Sequence, residues 1–446
     1  MDDEFEFDIS RDDAVRENLG DGQDTVRIDA RRSVEQVRLT FTSSEVGDDD
    51  PRDSETLENQ DGGLAVRVQA ERGDEDRLVG DVSRFDDEGI TFESRGRFTF
   101  DVRDLVSGVA RGDDFDNVTL GTRRANTIDE SAATDSYYIN GGLGDDNLLG
   151  GIDNDFLVGG ADNDRLRGND GDDSFIGGGG DDRIFGGLGD DTAIVNLATD
   201  GADNVQLGRG LDAVSVTAPE GARQIRLTFT SAEVGDGSAL DSGELANQDG
   251  GIAVRMQAED DSGDVVDPIG RYDDEGVSFT TAERRVTFDV RDLVSGTERG
   301  DRFDVVTLGT ISGDRYNERG ERDAYYINAG LGEDRLDGGR DADFLVGGKG
   351  RDRINGREDD DSLLGGIGRD VFKFSGAAGN DSIVDFASGA DRIDFRSYSI
   401  DFDDIETSED GDNTLIDVNL ARREGDDFQI TLLDAGAPVE SDFLFA

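Results

Sequence analysis

The chain has 446 residues, of which 45 are Lys or Arg and 106 are Asp or Glu, giving a formal net charge of −61. It contains no His and no Cys, which excludes the usual zinc ligands, disulfides and any catalytic site built on an imidazole. Acidity at this level argues against nucleic acid and anionic membranes as partners and favours cations. The sequence has no run of about 18 apolar residues, so we predict no membrane-spanning helix.

Most of the chain consists of two copies of one unit. The segment VRLTFTSSEVG at 37–47 returns as IRLTFTSAEVG at 225–235, and TFDVRDLVSG at 99–108 returns at 287–296, each offset by 188 residues. Residues 1–24 precede the first copy as an N-terminal segment with a degenerate repeat. This acidic start lacks the basic and apolar regions of a secretory signal, so export would need another route.

The first part of each unit is predicted to be a β domain, over residues 25–136 and 217–324. Its segments alternate apolar and polar residues and are separated by Gly/Asp-rich turns, a pattern typical of antiparallel strands. The acidic segments FDDEG at 85–89 and NQDGG at 59–63, with their copies at 272–276 and 247–251, admit two interpretations. They are either calcium or ligand loops or solvated turns between strands.

The second part of each unit is a nine-residue repeat, G-G-x-G-x-D-x-U-x with U apolar, over residues 137–216 and 325–398. The repeat aspartates are Asp146, Asp155, Asp164, Asp173, Asp182 and Asp191 in the first array and Asp334, Asp343, Asp352, Asp361 and Asp370 in the second. The apolar positions are Leu148, Leu157, Leu166, Phe175, Ile184 and the weak member Ala193, then Leu336, Leu345, Ile354, Leu363 and Phe372.

Glycines recur at fixed places in the six-residue turn that each aspartate closes. The first and fourth residues of the turns, which are the first and third glycines of the pattern, include Gly141, Gly144, Gly150, Gly159, Gly168, Gly171, Gly177, Gly180, Gly186, Gly189, Gly332, Gly338, Gly347, Gly350, Gly356, Gly365 and Gly368. Four turns have aspartate as the third member, namely Asp153, Asp162, Asp341 and Asp359, a residue that tolerates left-handed backbone. Asn169 and Arg357 replace the second glycine of their turns, and Ala329 replaces a first glycine. The turn 356–361 departs most from the pattern and is predicted to be the weakest.

This pattern predicts calcium sites. Glycines let the turn curl sharply and face its carbonyls one way, and the aspartate adds a carboxylate. Several oxygen donors on adaptable backbone suit Ca²⁺, whereas zinc would require the missing His or Cys. The residues x-U-x form a short strand whose apolar side chain is buried only when coils stack. We therefore predict an all-β fold in which two parallel β-rolls alternate with two copies of an antiparallel β domain.

The arrays resemble the RTX family of bacterial exported proteins, in which this nonapeptide is the calcium-binding repeat. The resemblance implies an ion between one turn and the turn two frames later, and about seven to eight ions in all. It also implies a chain that stays unfolded where calcium is scarce and folds outside the cell. Residues 370–395 and the final SDFLFA resemble the C-terminal domain of serralysin-type proteases, which implies that residues 399–446 cap the roll and carry a type I secretion signal.

Several features admit a second interpretation. The array aspartates are either calcium ligands or an acidic, solvated linker, and strict spacing favours ligands. The pairs Tyr137–Tyr138 and Tyr325–Tyr326 either stack on sugar rings or cap the first coil of each roll. For the whole chain we expect a secreted structural or adhesive protein, with a cell-surface or glycan ligand, and not an enzyme. The alternative is an extracellular enzyme acting on polysaccharide, for which no acid and base pair stands out.

Overall fold

A computed structural model describes residues 4–9, 16–17, 24–30, 34, 36–43, 64–72, 77–86, 89–94, 98–104, 114–219, 222, 224–230, 252–259, 265–274, 276–281, 286–292, 302–310, 312–420 and 427–446. Their regular structure is β-strand, apart from two short 3-10 helices at Phe402–Asp404 and Glu440–Asp442, which confirms the all-β prediction. No helix in these ranges is long and apolar enough to cross a membrane. Two compact units divide the chain, Met1–Asp212 and Ala213–Ala446.

The first unit begins with short strands and continues into a regular coil. The strands before the nonapeptide array are β1 (Glu4–Asp8), β2 (Arg16–Glu17), β3 (Asp24–Asp29), β4 (Gln36–Ser43), β5 (Leu64–Arg72), β6 (Arg77–Asp86), β7 (Ile90–Ser94), β8 (Thr99–Asp104), β9 (Asp114–Phe115), β10 (Asn117–Leu120) and β11 (Thr127–Asp129). Those of the array are β12 (Tyr137–Leu143), β13 (Asn147–Leu149), β14 (Phe156–Ala161), β15 (Arg165–Asp170), β16 (Ser174–Gly179), β17 (Arg183–Leu188), β18 (Thr192–Asn196) and β19 (Asn204–Arg209).

The array of the first unit is a parallel β-roll, called here the first roll. In one sheet β12, β14 and β16 pair in parallel, with Leu157 beside Phe175, and in the other β13, β15 and β17 pair with Leu166 beside Ile184. Each pairing is offset by 18 residues, so two nonapeptides make one coil. The predicted β-roll is confirmed.

The apolar position of every frame faces the inside of its roll. Because successive side chains of a strand point to opposite faces, the middle residue of each three-residue strand is directed inward and stacks on its equivalent one coil away. All of these spine side chains are 0% exposed: Leu148, Leu157, Leu166, Phe175, Ile184 and Ala193 in the first roll, and Leu336, Leu345, Ile354, Leu363 and Phe372 in the second. Ala193 is buried like the others, although its small side chain made it the weak member of the pattern.

The β domain of the first unit mixes strand directions. β4 pairs antiparallel with β5 and parallel with β8, β5 pairs antiparallel with β6, and β3 pairs in parallel with β7. The domain is thus not antiparallel throughout, because apolar/polar alternation fixes which side chains face the core but not the direction of the neighbouring strand. The segment at 59–63 and residues 87–88 of FDDEG lie outside the described residues.

The β domain and the first roll share one apolar core. Tyr138 is fully buried, with its ring 5.7 Å from Phe41 of β4 and stacked 5.6 Å from Phe156 of β14. β10 pairs in parallel with β12 and so continues the coil toward the domain. A ring enclosed in this way has no face left for a sugar, so Tyr138 supports the capping interpretation.

The second unit repeats this architecture. Up to the array its strands are β20 (Asp212–Thr217, beginning with the last residue of the first unit), β21 (Gln224–Thr230), β22 (Ile252–Glu259), β23 (Val265–Asp274), β24 (Val277–Thr281), β25 (Thr287–Asp292), β26 (Arg302–Phe303), β27 (Val305–Leu308) and β28 (Arg315–Asn317). The array contains β29 (Tyr325–Asn328), β30 (Leu331–Gly332), β31 (Arg335–Asp337), β32 (Phe344–Gly350), β33 (Arg353–Asn355), β34 (Ser362–Gly368), β35 (Val371–Lys373), β36 (Asp381–Ile383) and β37 (Arg392–Asp394).

In the second unit, β21 again pairs antiparallel with β22 and parallel with β25. β29, β32 and β34 form one sheet of the second roll, and β31, β33 and β35 the other, all in parallel register. Tyr326 is buried and stacks on Phe344 at 5.5 Å, as Tyr138 does on Phe156. Residues 247–251 and Glu275 of the segment at 272–276 are among the residues not described.

The C-terminal segment packs against the end of the second roll. Its strands are β38 (Ile405–Asp410), β39 (Asn413–Val418), β40 (Phe428–Leu432) and β41 (Phe443–Leu444). β40 pairs in parallel with β36 and β41 with β37, so the segment continues both sheets of the roll. Phe374, Phe395 and Phe428 join the two parts in one core.

Candidate metal centre

The aspartates that close the turns are buried inside the rolls. All eleven array aspartates are at most 3% exposed: Asp146, Asp155, Asp164, Asp173, Asp182, Asp191, Asp334, Asp343, Asp352, Asp361 and Asp370. A solvated acidic linker would leave its carboxylates in water, so the burial contradicts that interpretation. Charged groups are buried only when they are paired or bind a metal.

One oxygen of each carboxylate holds neighbouring coils together. The backbone N–H of Asp146 donates to Oδ1 of Asp164 (2.8 Å), and that of Asp164 to Oδ1 of Asp182 (2.7 Å). The second roll repeats the bond from Asp334 to Asp352 and from Asp352 to Asp370, at 2.8 and 2.9 Å. The carboxylate therefore satisfies a backbone donor one coil away, and this fixes its orientation.

The other oxygen of most array aspartates has no protein partner. Oδ2 is buried and makes no hydrogen bond in nine of them: Asp146, Asp164, Asp173, Asp182, Asp191, Asp334, Asp352, Asp361 and Asp370. An unsatisfied buried carboxylate oxygen is costly because it loses its hydration and gains nothing in return. Bound cations would explain why each roll carries a row of buried Oδ2 atoms without a hydrogen-bond partner.

The raised pKa values of these carboxylates also favour bound cations. Burial raises the pKa of every array aspartate above the usual 3.8, to between about 6 and about 9. For Asp164 and Asp173, neighbouring aspartates add to this effect of burial, and their pKa reaches about 8. The charged form is thus disfavoured in the folded roll at neutral pH unless a cation compensates it.

Two turns depart from this arrangement. Oδ2 of Asp155 accepts a hydrogen bond from the backbone N–H of Gly151 (2.6 Å), and Oδ2 of Asp343 accepts one from Gly339 (2.7 Å). Both oxygens of these two carboxylates accept backbone hydrogen bonds, unlike those of the other nine array aspartates. In these two turns the protein therefore supplies a hydrogen-bond donor to the oxygen that has no partner in the other turns.

The substituted turns explain this difference. Asp162 and Asp359, which stand in place of a third glycine, have φ of +73° and +71°, as the turn requires, and their turns leave Oδ2 open. Asp153 and Asp341 occupy the same place in the two turns whose Oδ2 accepts a hydrogen bond, and neither of them has a positive φ. Asn169 and Arg357 adopt φ of +82° and +92° at the second glycine, so the weakest predicted turn, 356–361, is retained.

Glycine is required at two places in a turn. A Cβ at Gly159, a first position, would collide with Oδ2 of Asp164 and with the carbonyl oxygen of Gly177 one coil on. Gly180, the third glycine of the pattern in its turn, has φ of +132°, a backbone conformation in which a side chain is strained. The same first-position approach of carboxylate and carbonyl oxygens recurs at Gly141, Gly150, Gly338 and Gly347. The turns thus direct a carboxylate and a carbonyl oxygen toward each other.

The donor set fits calcium. In the part of the chain that the structure describes, no three acidic side chains come together as a purely side-chain metal site requires. The oxygens that converge in the turns are single carboxylates and backbone carbonyls, and Ca²⁺ accepts such a mixture with variable geometry. Asp146, Asp164 and Asp182 along one edge of the first roll and Asp173 and Asp191 along the other would hold the ions.

The sequence pattern missed two sets of residues. The fifth turn position carries a second ladder, in which the backbone N–H of Asn163, Asp172, Asp181 and Asp190 donates to the side-chain oxygen of Asp145, Asn154, Asn163 and Asp172 at 2.7–3.0 Å. An Asp or Asn in every such frame of the first array was the available signal. After the last regular frame of each array, Oδ1 of Asp212 and of Asp381 extends the ladder of the turn-closing aspartates, and Oδ2 of each is buried without a hydrogen-bond partner.

Stacked parallel coils, a buried apolar spine and rows of oxygen-lined turns define a calcium-binding β-roll protein. The chain contains RTX repeats: the model of the RTX calcium-binding nonapeptide repeat matches four times, at residues 138–157, 158–193, 326–345 and 337–372. These matches lie in the two rolls. No curated protein has significant sequence similarity to the chain.

Two solved structures are similar to the chain. The extracellular lipase LipA from Serratia marcescens shares 18% identity with a TM-score of 0.17, over 71% of this chain and 40% of the lipase. A subunit from the Azotobacter vinelandii mannuronan C5-epimerase shares 23% identity with a TM-score of 0.19, over 31% of this chain and 81% of that one. The chain thus spans less than half of the lipase, and at these TM-scores neither likeness assigns an activity or a substrate to this chain.

The prediction that the chain is not an enzyme is wrong on this comparison, because both solved structures come from enzymes, a lipase and an epimerase. The prediction rested on the lack of a recognisable acid and base pair beside the repeats.

Proposed function

We propose that this chain is an exported protein whose two rolls fold when they bind Ca²⁺ and which serves as an extracellular structural or adhesive protein. The observation that supports it best is the set of nine buried Oδ2 atoms without a protein partner. In the folded rolls these atoms need a cation, and in an unfolded chain they are hydrated. Calcium binding would therefore contribute directly to folding free energy.

The proposed ligands are the nine array aspartates with an open Oδ2, together with carbonyl oxygens of the glycine turns. About seven to eight ions per chain agree with this number of open carboxylates. Asp155 and Asp343 take a structural part instead, because their own turns satisfy them. The first and third glycines of the pattern let the carboxylate and carbonyl oxygens approach closely and give the turn its positive-φ backbone.

Location and partners belong to the same proposal. Extracellular modules bind calcium at about 10⁻⁴–10⁻³ M, a range suited to a chain that folds only after export. Export by a type I secretion system would use the C-terminal segment. Two copies of the β domain in one chain would bind a repetitive surface or glycan with avidity, which favours an adhesive role.

A pair of matched substitutions tests the ligand assignment. Asp173→Asn keeps an acceptor for the N–H of Asp155 but removes the charge next to an open Oδ2, so we expect one bound calcium fewer. Asp155→Asn makes the same chemical change where both carboxylate oxygens already accept backbone hydrogen bonds. It loses one of these bonds and therefore some stability, but we expect an unchanged number of ions. Calorimetric titration of both full-length variants gives the comparison. Equal loss of ions in the two variants, or loss in neither, would contradict the assignment.

A further inference from the structure

The outer face of the first roll carries a cluster of arginines on β15 and β17. Arg165, Arg167 and Arg183 are exposed, while Leu166 and Ile184 between them are buried, so the three arginines share the outer surface of one sheet. Parallel register places Arg165 beside Arg183 and Arg167 beside Phe185. This is a concentration of positive charge in a chain of net charge −61.

The guanidinium groups are held in place by an aromatic ring. The Cζ atoms of Arg165 and Arg167 lie 5.1 and 5.4 Å from the centre of the half-buried Phe185 ring. Contacts of this kind favour a cation over the ring face and orient its planar fork. Within the described residues, none of the three arginines makes an ion pair, so their donors face solvent.

The equivalent face of the second roll differs in sequence, and of the three arginines only Arg165 has an arginine counterpart there, Arg353. There, Asp337 accepts bonds from Arg335 (3.1 Å) and Arg357 (2.9 Å), and Asp394 accepts from Arg353 (2.7 Å). The offset of 188 residues relates Asp337 to Leu149 and Asp394 to Gln206 of the first roll. At these two positions the second roll therefore carries carboxylates that bind its arginines, and the first roll carries uncharged side chains.

We propose that the face of the first roll formed by Arg165, Arg167, Arg183 and Phe185 binds an acidic polysaccharide through its carboxylate groups. The fork of a guanidinium matches a carboxylate in bidentate geometry. Arg165 and Arg183 lie in register on neighbouring strands, whose backbones are about 4.8 Å apart, so the two guanidinium groups can bind two carboxylates of one polymer chain. The half-buried Leu149, which lies beside Arg167 in the parallel register, adds apolar surface next to the arginines.

A nucleic acid is the less suitable polyanion. A duplex carries one charge per about 1.7 Å, and a small arginine cluster on a strongly acidic chain does not offset the repulsion of such a polymer. A uronate chain has only one charge per sugar and presents carboxylates. This inference names a partner for the adhesive protein proposed above, and it depends on that proposal only because the first roll must be folded.

The test uses the full chain in about 1 mM calcium. The probes are a short galacturonate oligomer, its fully methyl-esterified form and single-stranded DNA, with binding measured by calorimetry. We expect binding to the oligomer and not to the ester. We expect R165Q/R167Q/R183Q to weaken this binding about tenfold or more. The variant R319Q/R351Q/R369Q, which removes three exposed arginines of the second unit, should change it by less than about twofold.

A second variant restores the carboxylates of the other copy. L149D/Q206D should weaken oligomer binding while leaving the three arginines in place. No binding by the unaltered chain, equal losses in the two triple variants, or preference for DNA would overturn the proposal. Far-UV circular dichroism of each sample with and without calcium separates the two proposals. A calcium-dependent β spectrum without oligomer binding refutes only this surface, whereas a spectrum independent of calcium refutes the proposed function.

Discussion

Removal of calcium is expected to unfold both rolls of the full-length protein. In excess chelator, amides in residues 137–216 and 325–398 should exchange with solvent at rates near those of an unfolded chain, and the far-UV β signal should fall. The physical reason is the burial of eleven carboxylates, which raises their pKa to between about 6 and about 9. At neutral pH the ionised carboxylates would then oppose the fold, since among the described residues no protein group pairs with the open Oδ2 of nine of them.

Hydrogen exchange measured by mass spectrometry assigns the effect to each roll. Addition of millimolar calcium to the same sample should restore protection, and an equal ionic strength of sodium chloride should not, because screening alone does not fill the turns. Protected amides in both rolls in the presence of excess chelator would contradict the expected result.

Substitution of one spine residue is expected to have the next largest effect. Phe175 of the first roll is 0% exposed and stacks between Leu157 and Ala193 of the adjoining coils. Phe175→Ala should lower the free energy of unfolding by about 3–5 kcal/mol, since a cavity replaces a buried ring. That is a large part of a typical domain stability of about 5–15 kcal/mol, so more calcium should be needed to fold this roll.

Leu188 provides the matched control for this substitution. It is an apolar residue of the same roll but 49% exposed, so Leu188→Ala should change stability by less than about 0.5 kcal/mol. The measurement is the calcium concentration at half-folding for each variant, followed by exchange in residues 137–216. Equal midpoints for the two variants would show that the spine does not stabilise the roll.

The nine-residue spacing was sufficient to predict the rolls. It placed Leu157 and Phe175 in the same column of the spine, and the parallel register pairs these two residues. It also identified Asp164 and Asp173 as the residues that close the turns, and both are buried. A strict period works here because each frame contacts only its neighbours, so local sequence determines local structure.

The fate of individual turns could not be predicted in this way. Asp153 and Asp162 occupy equivalent positions, yet only Asp162 adopts positive φ, and the turn of Asp153 is closed by the N–H of Gly151. Aspartate lies near the balance between the two conformations, so packing of adjoining coils decides between them. Asp212 and Asp381 escaped notice because their spacing from the preceding ladder members, 21 and 20 residues, breaks the period.

The most direct test of the account is a count of calcium ions bound per full-length chain, by calorimetric titration of chelator-treated protein. The account predicts about seven to eight ions with affinities of about 10⁻⁴–10⁻³ M, and a simultaneous gain of β structure. Binding of two ions or fewer, or binding without a change in secondary structure, would contradict it.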